Sequence, residues 1–241
     1  MSCDLYFIKV DDKTQHDYNI MVDEAIHMYI QIFSDPPYNE KFDYNDVKTD
    51  FDNFITKGCL LLAVQDNITV GFLCASIGIH HECNTEILQQ YKDNGIDVHN
   101  DVYIAELGVD KNYRNQKIGK KLVSELIQLY KHNNMFLRTG VENNDMVIHF
   151  YEKFDFIITD IREMVENTRS DGSIATDERL YMVKYTSTDL PIYVKHDEQS
   201  STVDFGYQSG AENLYGIGDD SHNTCNDDYD YNSGAEELYG K

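Results

Sequence analysis

The sequence predicts a mixed α/β (α+β) domain, with a central, mostly antiparallel sheet flanked by helices and an acidic, disordered C-terminal tail. Three observations carry this. Short apolar runs interleave with stretches of helical period along residues 1–186. Two nearly unbroken apolar runs flank "QDN", the pattern of a hairpin covered on both faces. Beyond Thr186 the composition turns acidic and repetitive, which sets the boundaries at 1–186 for the folded domain and 187–241 for a low-complexity tail.

"LYFIKV" (5–10) reads as a strand. Residues 17–33 set Ile20, Met21, Ala25, Met28 and Ile32 near helical spacing. "SDPPYNEKF" ends that helix, because the residue before a proline is pushed out of the helical region. Residues 44–56 repeat the pattern through Val47, Phe51, Phe54 and Ile55, and the hairpin runs follow at 59–78. Residues 79–101 turn polar and read as a long loop with one helical turn. "VYIAELGV" (102–109) is the next strand. Residues 117–133 align Ile118, Leu122, Leu126 and Leu129, with Val123, Ile127 and Tyr130 beside them, as an amphipathic helix. "MFLRTGV" is a strand and "NDMVIHFYEKF" a short helix. "DFIITDIREMV" and "ERLYMVKYT" form a last antiparallel pair around a polar loop, 166–177.

The 241 residues carry a formal net charge of −23, and 41% are apolar, enough for one core. Such acidity argues against a nucleic-acid partner, because phosphates would be repelled. It suits cationic partners, though acidity also serves solubility alone. No apolar run nears the roughly 18 residues of a membrane span, so no membrane partner is expected. The five scattered cysteines form no disulfide framework, and no basic-then-apolar leader opens the chain. Both point to a reducing, cytoplasmic compartment. "HHEC" (80–83), even joined by His99, fits no zinc spacing, and the acid-rich stretches fit no calcium loop, so no metal is expected.

Residues 186–241 hold 12 acidic side chains and 2 lysines, so −10 of the charge lies there and −13 on residues 1–185. "YQSGAENLYG" (207–216) recurs as "YNSGAEELYG" (231–240), giving two SGAE(N/E)LYG repeats, too few for a solenoid. A segment this polar does not offset its ordering entropy. It reads either as an inert solvating tail or as a pair of Leu-Tyr anchors for a protein partner or for the domain.

One stretch stands out in so acidic a chain. "NYRNQKIGKKLVSEL" (112–126) gathers Arg114, Lys117, Lys120 and Lys121 around Gly119, between a strand and a helix. The first turn of a helix has unpartnered amides and a positive dipole end, and a glycine there admits close approach of a ligand. The junction is therefore a candidate seat for a pyrophosphate. The alternative is a solvated basic helix face. The stretch lacks the first glycine and the hydroxyl of a nucleotide P-loop, and no dinucleotide GxGxxG is present.

The junction resembles motif A of the GCN5-related N-acetyltransferase (GNAT) superfamily, a strand followed by [Q/R]-x-x-G-x-[G/A] at a helix start. Arg114 and Gly119 take the outer positions, and Lys117 stands at the middle glycine. Two further blocks extend the resemblance over residues 5–185: "IFSDPPYNEKF", like the first helix end and turn, and "ENNDMVIHFYEKFDF", like N-x-x-A-x-x-F-Y-x-x-x-G-F. In the latter, Val147 replaces the alanine and Asp155 the glycine.

The resemblance implies acetyl transfer from acetyl-CoA to a primary amine, by direct attack in a ternary complex. Arg114, Asn115, Lys117, Gly119 and Lys120 would hold the pyrophosphate. The backbone of Leu107 and Val109 would pair with pantetheine, and Asn144 would bond near it. Tyr151 would protonate the leaving sulfur. The acceptor, a small-molecule amine or a basic peptide, would sit among loops such as 34–42 and 79–101. Because many members pair, a homodimer is also implied.

The chemistry itself asks for a base, because a lysine-like amine has a pKa of about 10.4 and must be neutral to attack. Glu106, lying between apolar residues on its strand, is the candidate, with alternation setting Ala105 and Leu107 on the opposite face. Its alternative is a carboxylate paired with a cation or solvated. For Tyr151 the alternative is an aromatic core residue beside Phe150. The rival reading of the whole chain is a non-catalytic CoA-binding or interaction protein whose repeated tail recruits a partner.

Overall fold

A computed structural model describes residues 5–10, 16–36, 38–79, 85–141 and 144–186. The tail at 187–241 and the cluster at 80–83 lie outside the described residues.

Strand β1 (Leu5–Lys9) pairs antiparallel with β2 (Gly58–Gln65), and β2 turns into β3 (Ile68–Ile77). The turn residues Asp66 and Asn67 are both left-handed, at φ 53° and 64°. That is the primed hairpin geometry, which short polar side chains tolerate. Strands β4 (Val102–Val109), β5 (Met135–Gly140), β6 (Ile157–Thr168) and β7 (Ile174–Lys184) complete one sheet in the order β1-β2-β3-β4-β5-β7-β6. Only the β4–β5 pair is parallel among the described strands. The expected mixed α/β architecture with a mostly antiparallel sheet is therefore what forms.

Helices α1 (His16–Ser34) and α2 (Tyr44–Lys57) cover one face. Their Ala25, Ile26, Ile32, Phe51 and Phe54 pack on Leu60, Leu62, Phe72 and Cys74. Helices α4 (Ile118–Leu129) and α5 (Asp145–Glu152) cover the other, where Leu122, Leu126, Phe150 and Tyr151 meet Leu61, Leu73, Leu107 and Leu137. Alternate residues of β2 and β3 thus enter opposite cores, which explains their nearly unbroken apolar sequences. Asp43 caps α2 by accepting the Asn45 amide at 2.8 Å.

Several expectations are corrected. Residues 79–101 are not a plain loop: α3 (Thr85–Asp93) buries Ile87 and Tyr91, one turn apart, against Phe136 and Tyr181. Its remaining polar residues hid that pair. Ile20 and Leu129 are 50% and 43% exposed rather than core, with Leu129 the last residue of α4. The loop 166–177 shrinks to a short turn because β6 and β7 continue pairing to Thr168 and Ile174.

Gly58 opens β2, and a Cβ there would sit 2.2 Å from the Ala75 carbonyl oxygen. Backbone of a central strand does not give way cheaply. Gly58→Ala should destabilise the protein by roughly 1–3 kcal/mol, read as a lower urea midpoint at unchanged slope.

Candidate active site

The sheet parts at its centre. Pairing between β4 and β5 runs only from Val102–Met135 to Ile104–Leu137, although both strands continue. On its other edge β4 stays paired with β3 through Val109. The Asp110 amide bonds the Val70 carbonyl at 2.9 Å, so Gly108 and Asp110 turn their main-chain groups toward β3. The main-chain groups of Leu107 and Val109 therefore face the gap left by β5.

A β-bulge marks where the strands separate. The register passes from Cys74–Glu106 to Ala75–Ile104, leaving Ala105 as the extra residue. This corrects the expected alternation. Glu106 sits opposite Cys74, on the face of α1 and α2, and Ala105 packs on that same side. Leu107 lies on the opposite face with α4 and α5, as expected.

A cavity of about 260 Å³ fills the gap, lined by residues from both faces of the sheet. Tyr29, Phe33, Tyr38 and Glu40 line it from the first helix and its following loop. Glu106 and Arg138 line it from the parted strands, Tyr151 and Val147 from α5, and Asn167 and Arg179 from the β6–β7 hairpin. The loop and the hairpin are tied together: Lys41 N–H donates to the Thr168 carbonyl at 2.9 Å, and Ser170 N–H to that of Asn39 at 2.7 Å. Arg169 donates to the Tyr38 carbonyl at 2.5 Å and grips both oxygens of Asp177 at 2.8 Å.

Burial, helped by the nearby Glu40 carboxylate and opposed by Arg138 and Arg179, pushes the Glu106 carboxyl up to about 8. Burial also raises Glu40, with Arg179 and Arg169 pulling it back. Tyr151 is only 4% exposed. Its ring makes edge contacts with Phe150 at 5.0 Å and Phe156 at 5.5 Å. Burial raises its phenol well above the ordinary value, and Glu106 is the strongest charge acting on it. Tyr151 thus belongs to the aromatic core and to the cavity wall at once.

The basic junction follows directly after β4. A short 3-10 turn, Lys111–Tyr113, is capped by the Asp110 side chain, and Arg114 Nε donates to the Val109 carbonyl at 3.2 Å. Asn115 and Lys117 are both left-handed, at φ 63° and 61°, and Lys117 caps α4 with no side-chain bond. The helix then opens on the amides of Ile118 and buried Gly119, which lack intrahelical acceptors. Main chain facing the gap and amides at the end of the same strand form a continuous cradle that fits an extended, phosphate-bearing donor. Lys121 is paired along the helix with Glu125 at 3.1 Å, away from this set. Asn144 caps α5, with its side-chain nitrogen 2.4 Å from where a Cβ on Gly140 would sit.

Lys117 stands where a glycine would adopt the same backbone without cost. Lys117→Gly should raise stability by up to about 1 kcal/mol, seen in thermal melts. On the reading that this junction seats the diphosphate of CoA, the same change should weaken CoA affinity about two- to fivefold at low salt through the lost charge, and the difference should fade at high salt.

Of the residues singled out from sequence, Glu106, Leu107 and Tyr151 meet in the cavity, and Val109, Arg114, Asn115, Lys117, Gly119 and Lys120 follow along the adjoining strand and turn. Loop 34–42 does contribute, through Tyr38 and Glu40. The described residues of 79–101 do not line this cavity, whereas the β6–β7 hairpin does. Sequence reading missed Glu40, Arg138 and Arg179. A signal was present: "MFLRTG" holds a lone cation in an apolar strand, as "IAELGV" holds a lone acid. Among the described residues no group of His, Cys, Asp or Glu gathers as for a metal, and no helix is long and apolar enough to cross a membrane.

The acetyltransferase (GNAT) family model matches residues 20–156, more than half of the chain, and the chain belongs to that family. Acetyl transfer is the general chemistry of the family it names. No curated protein matches the chain. Among solved structures, an N-acetyltransferase from Staphylococcus aureus Mu50 aligns with TM-score 0.51 and 12% identity, over 76% of this chain and 99% of that one. Arabidopsis thaliana NAA60 in complex with a bisubstrate analogue aligns with TM-score 0.50 and 19% identity, over 75% and 97%. The yncA acetyltransferase from Salmonella typhimurium with acetyl-CoA aligns with TM-score 0.48 and 12% identity, over 78% and 97%. These likenesses are of fold.

Proposed function

We propose that the protein moves an acetyl group from acetyl-CoA to a primary amine by direct attack within a ternary complex. The observation that carries this reading is the parting of β4 from β5 beside the α4 junction, with Glu106 and Tyr151 in one cavity. The donor's pyrophosphate lies at the amides around Gly119, with Arg114, Asn115, Lys117 and Lys120 beside it. Its pantetheine arm takes the place of β5 along Leu107 and Val109, near Asn144. The thioester then ends in the gap, between the acceptor on the α1–α2 face and Tyr151 on the other.

Glu106 takes the proton of the attacking amine. The new N–C bond forms as the C–S bond breaks, and the departing sulfur takes its proton from Tyr151, which recovers one from solvent. Amides along β4 offer hydrogen bonds to the carbonyl oxygen as charge gathers there. A carboxyl held near 8 is a stronger base toward an ammonium than an ordinary glutamate.

Release of free CoA thiol from acetyl-CoA, measured against polyamines, amino acids and basic peptides, tests this. Amine-dependent release above hydrolysis is the expected result. CoA binding by calorimetry with no release for any amine would instead assign the chain to non-catalytic binding.

A further inference from the structure

We infer that the acceptor carries a carboxylate close to its amine, and that Arg179, with Arg138 beside it, holds that carboxylate. This rests on the acetyl-transfer reading of the same cavity. The two guanidinium groups come from neighbouring strands: Arg179 pairs in register with Gly140, and Arg138 with Tyr181 two residues away on the same sheet face. Both line the cavity that holds Glu106.

Arg179 is poorly satisfied for its depth. Its side chain is 17% exposed, yet its ion contacts are long, with Nη2 3.6 Å from Glu40 and 3.7 Å from Asp177. Its guanidinium makes no hydrogen bond to any described residue. A guanidinium has five donors, and buried ones normally find acceptors. Its neighbours are already engaged. Asp177 is gripped by Arg169 at 2.8 Å on both oxygens and receives Asn167 Nδ2 at 2.7 Å. Arg138 reaches Glu163 at 3.1 Å through Nη1, and Glu163 also accepts the Tyr181 hydroxyl at 2.6 Å.

The other end of the Arg179 fork lies beside β5, on the cavity wall. Its Nη1 lies 3.4 Å from where a Cβ on Gly140 would sit, at the end of β5 where the sheet has parted. A planar carboxylate, with two equivalent oxygens, is the ligand that matches such a fork. Within the lining Glu40 and Glu106 stand against Arg138 and Arg179, two groups of each sign, so the chain's overall acidity does not extend into the cavity. A polyamine would set its second ammonium against those arginines. A cavity of about 260 Å³ suits a molecule of amino-acid size.

The test compares each amino acid with its carboxamide and its decarboxylated amine, over α, β and γ spacings. CoA thiol release should favour the acid by at least about tenfold in kcat/KM, the scale of one charge-assisted fork. Arg179→Gln should lower the acid's kcat/KM roughly ten- to hundredfold, mostly through KM, and close the gap between acid and amide. Arg138→Gln should act in the same direction more weakly, with thermal melts confirming that both variants fold. In parallel, calorimetry with CoA present measures N-acetyl amino acids against their amides, a readout needing no turnover. Equal acid and amide, no acid-form binding at millimolar concentration, or a gap that survives Arg179→Gln would overturn the inference. Acid-selective binding with no thiol release for any amine would instead sink the transfer reading, and with it the acceptor, and leave only the carboxylate site at Arg179 standing.

Discussion

Glu106→Gln should lower kcat for acetyl transfer by about 10²- to 10⁴-fold, the range for a positioned general base. The wild-type rate should climb with pH and level above about 8, where Glu106 has ionised, and the variant should lack that limb. The same shift enters stability. The folded carboxyl keeps its proton up to about 8, while the unfolded one loses it near its ordinary 4.5. Between those values the folded state binds more protons, so this group makes stability fall as pH rises through the window. The glutamine variant escapes that loss. Its melting temperature should match wild type below the window and exceed it increasingly toward pH 8. A variant with unaltered rate and pH profile would remove Glu106 from the chemistry.

Tyr151→Phe should lower kcat by about 10²-fold, the low end of the same range. The ring stays, so the edge contacts with Phe150 and Phe156 persist and the variant should fold. The low end is chosen because burial holds the phenol above its ordinary value, which makes it a weaker acid than a free phenol. Its help should depend on how much the leaving sulfur needs a proton. Donors with a more acidic thiol should therefore suffer less from the change than acetyl-CoA does. Equal losses across such donors would assign Tyr151 to packing alone.

The helices and strands that were legible in the sequence are those whose period or apolar continuity is set by burial. The β2 and β3 runs, buried without a break over 59–64 and 69–76, are the plainest. Helix α3 was not legible, because only Ile87 and Tyr91 are buried, Leu88 is exposed and the remaining residues are polar. The hairpin tip was not legible either. Its extension depends on bonds from Thr168 and Ser170 to residues 39–41, more than a hundred positions away. Glu106 and Tyr151 could be named from local sequence, whereas Glu40 and Arg179 meet only once that tie has formed. The motif departures are instructive in the same way. Lys117 and Asp155 each replace a glycine of the pattern, and both hold the left-handed backbone, at φ 61° and 64°. The loop path was kept and the residue changed, with Lys184 meeting the Asp155 carboxylate at 3.1 Å. Val147 is accommodated in the core at 2% exposure.

The seam between β4 and β5 also bears on kinetics. In the proposed ternary complex donor and acceptor meet from opposite faces of the sheet, so neither need leave before the other enters. Initial-rate plots should then intersect rather than run parallel, and each spent product should depart by its own exit without waiting for its companion.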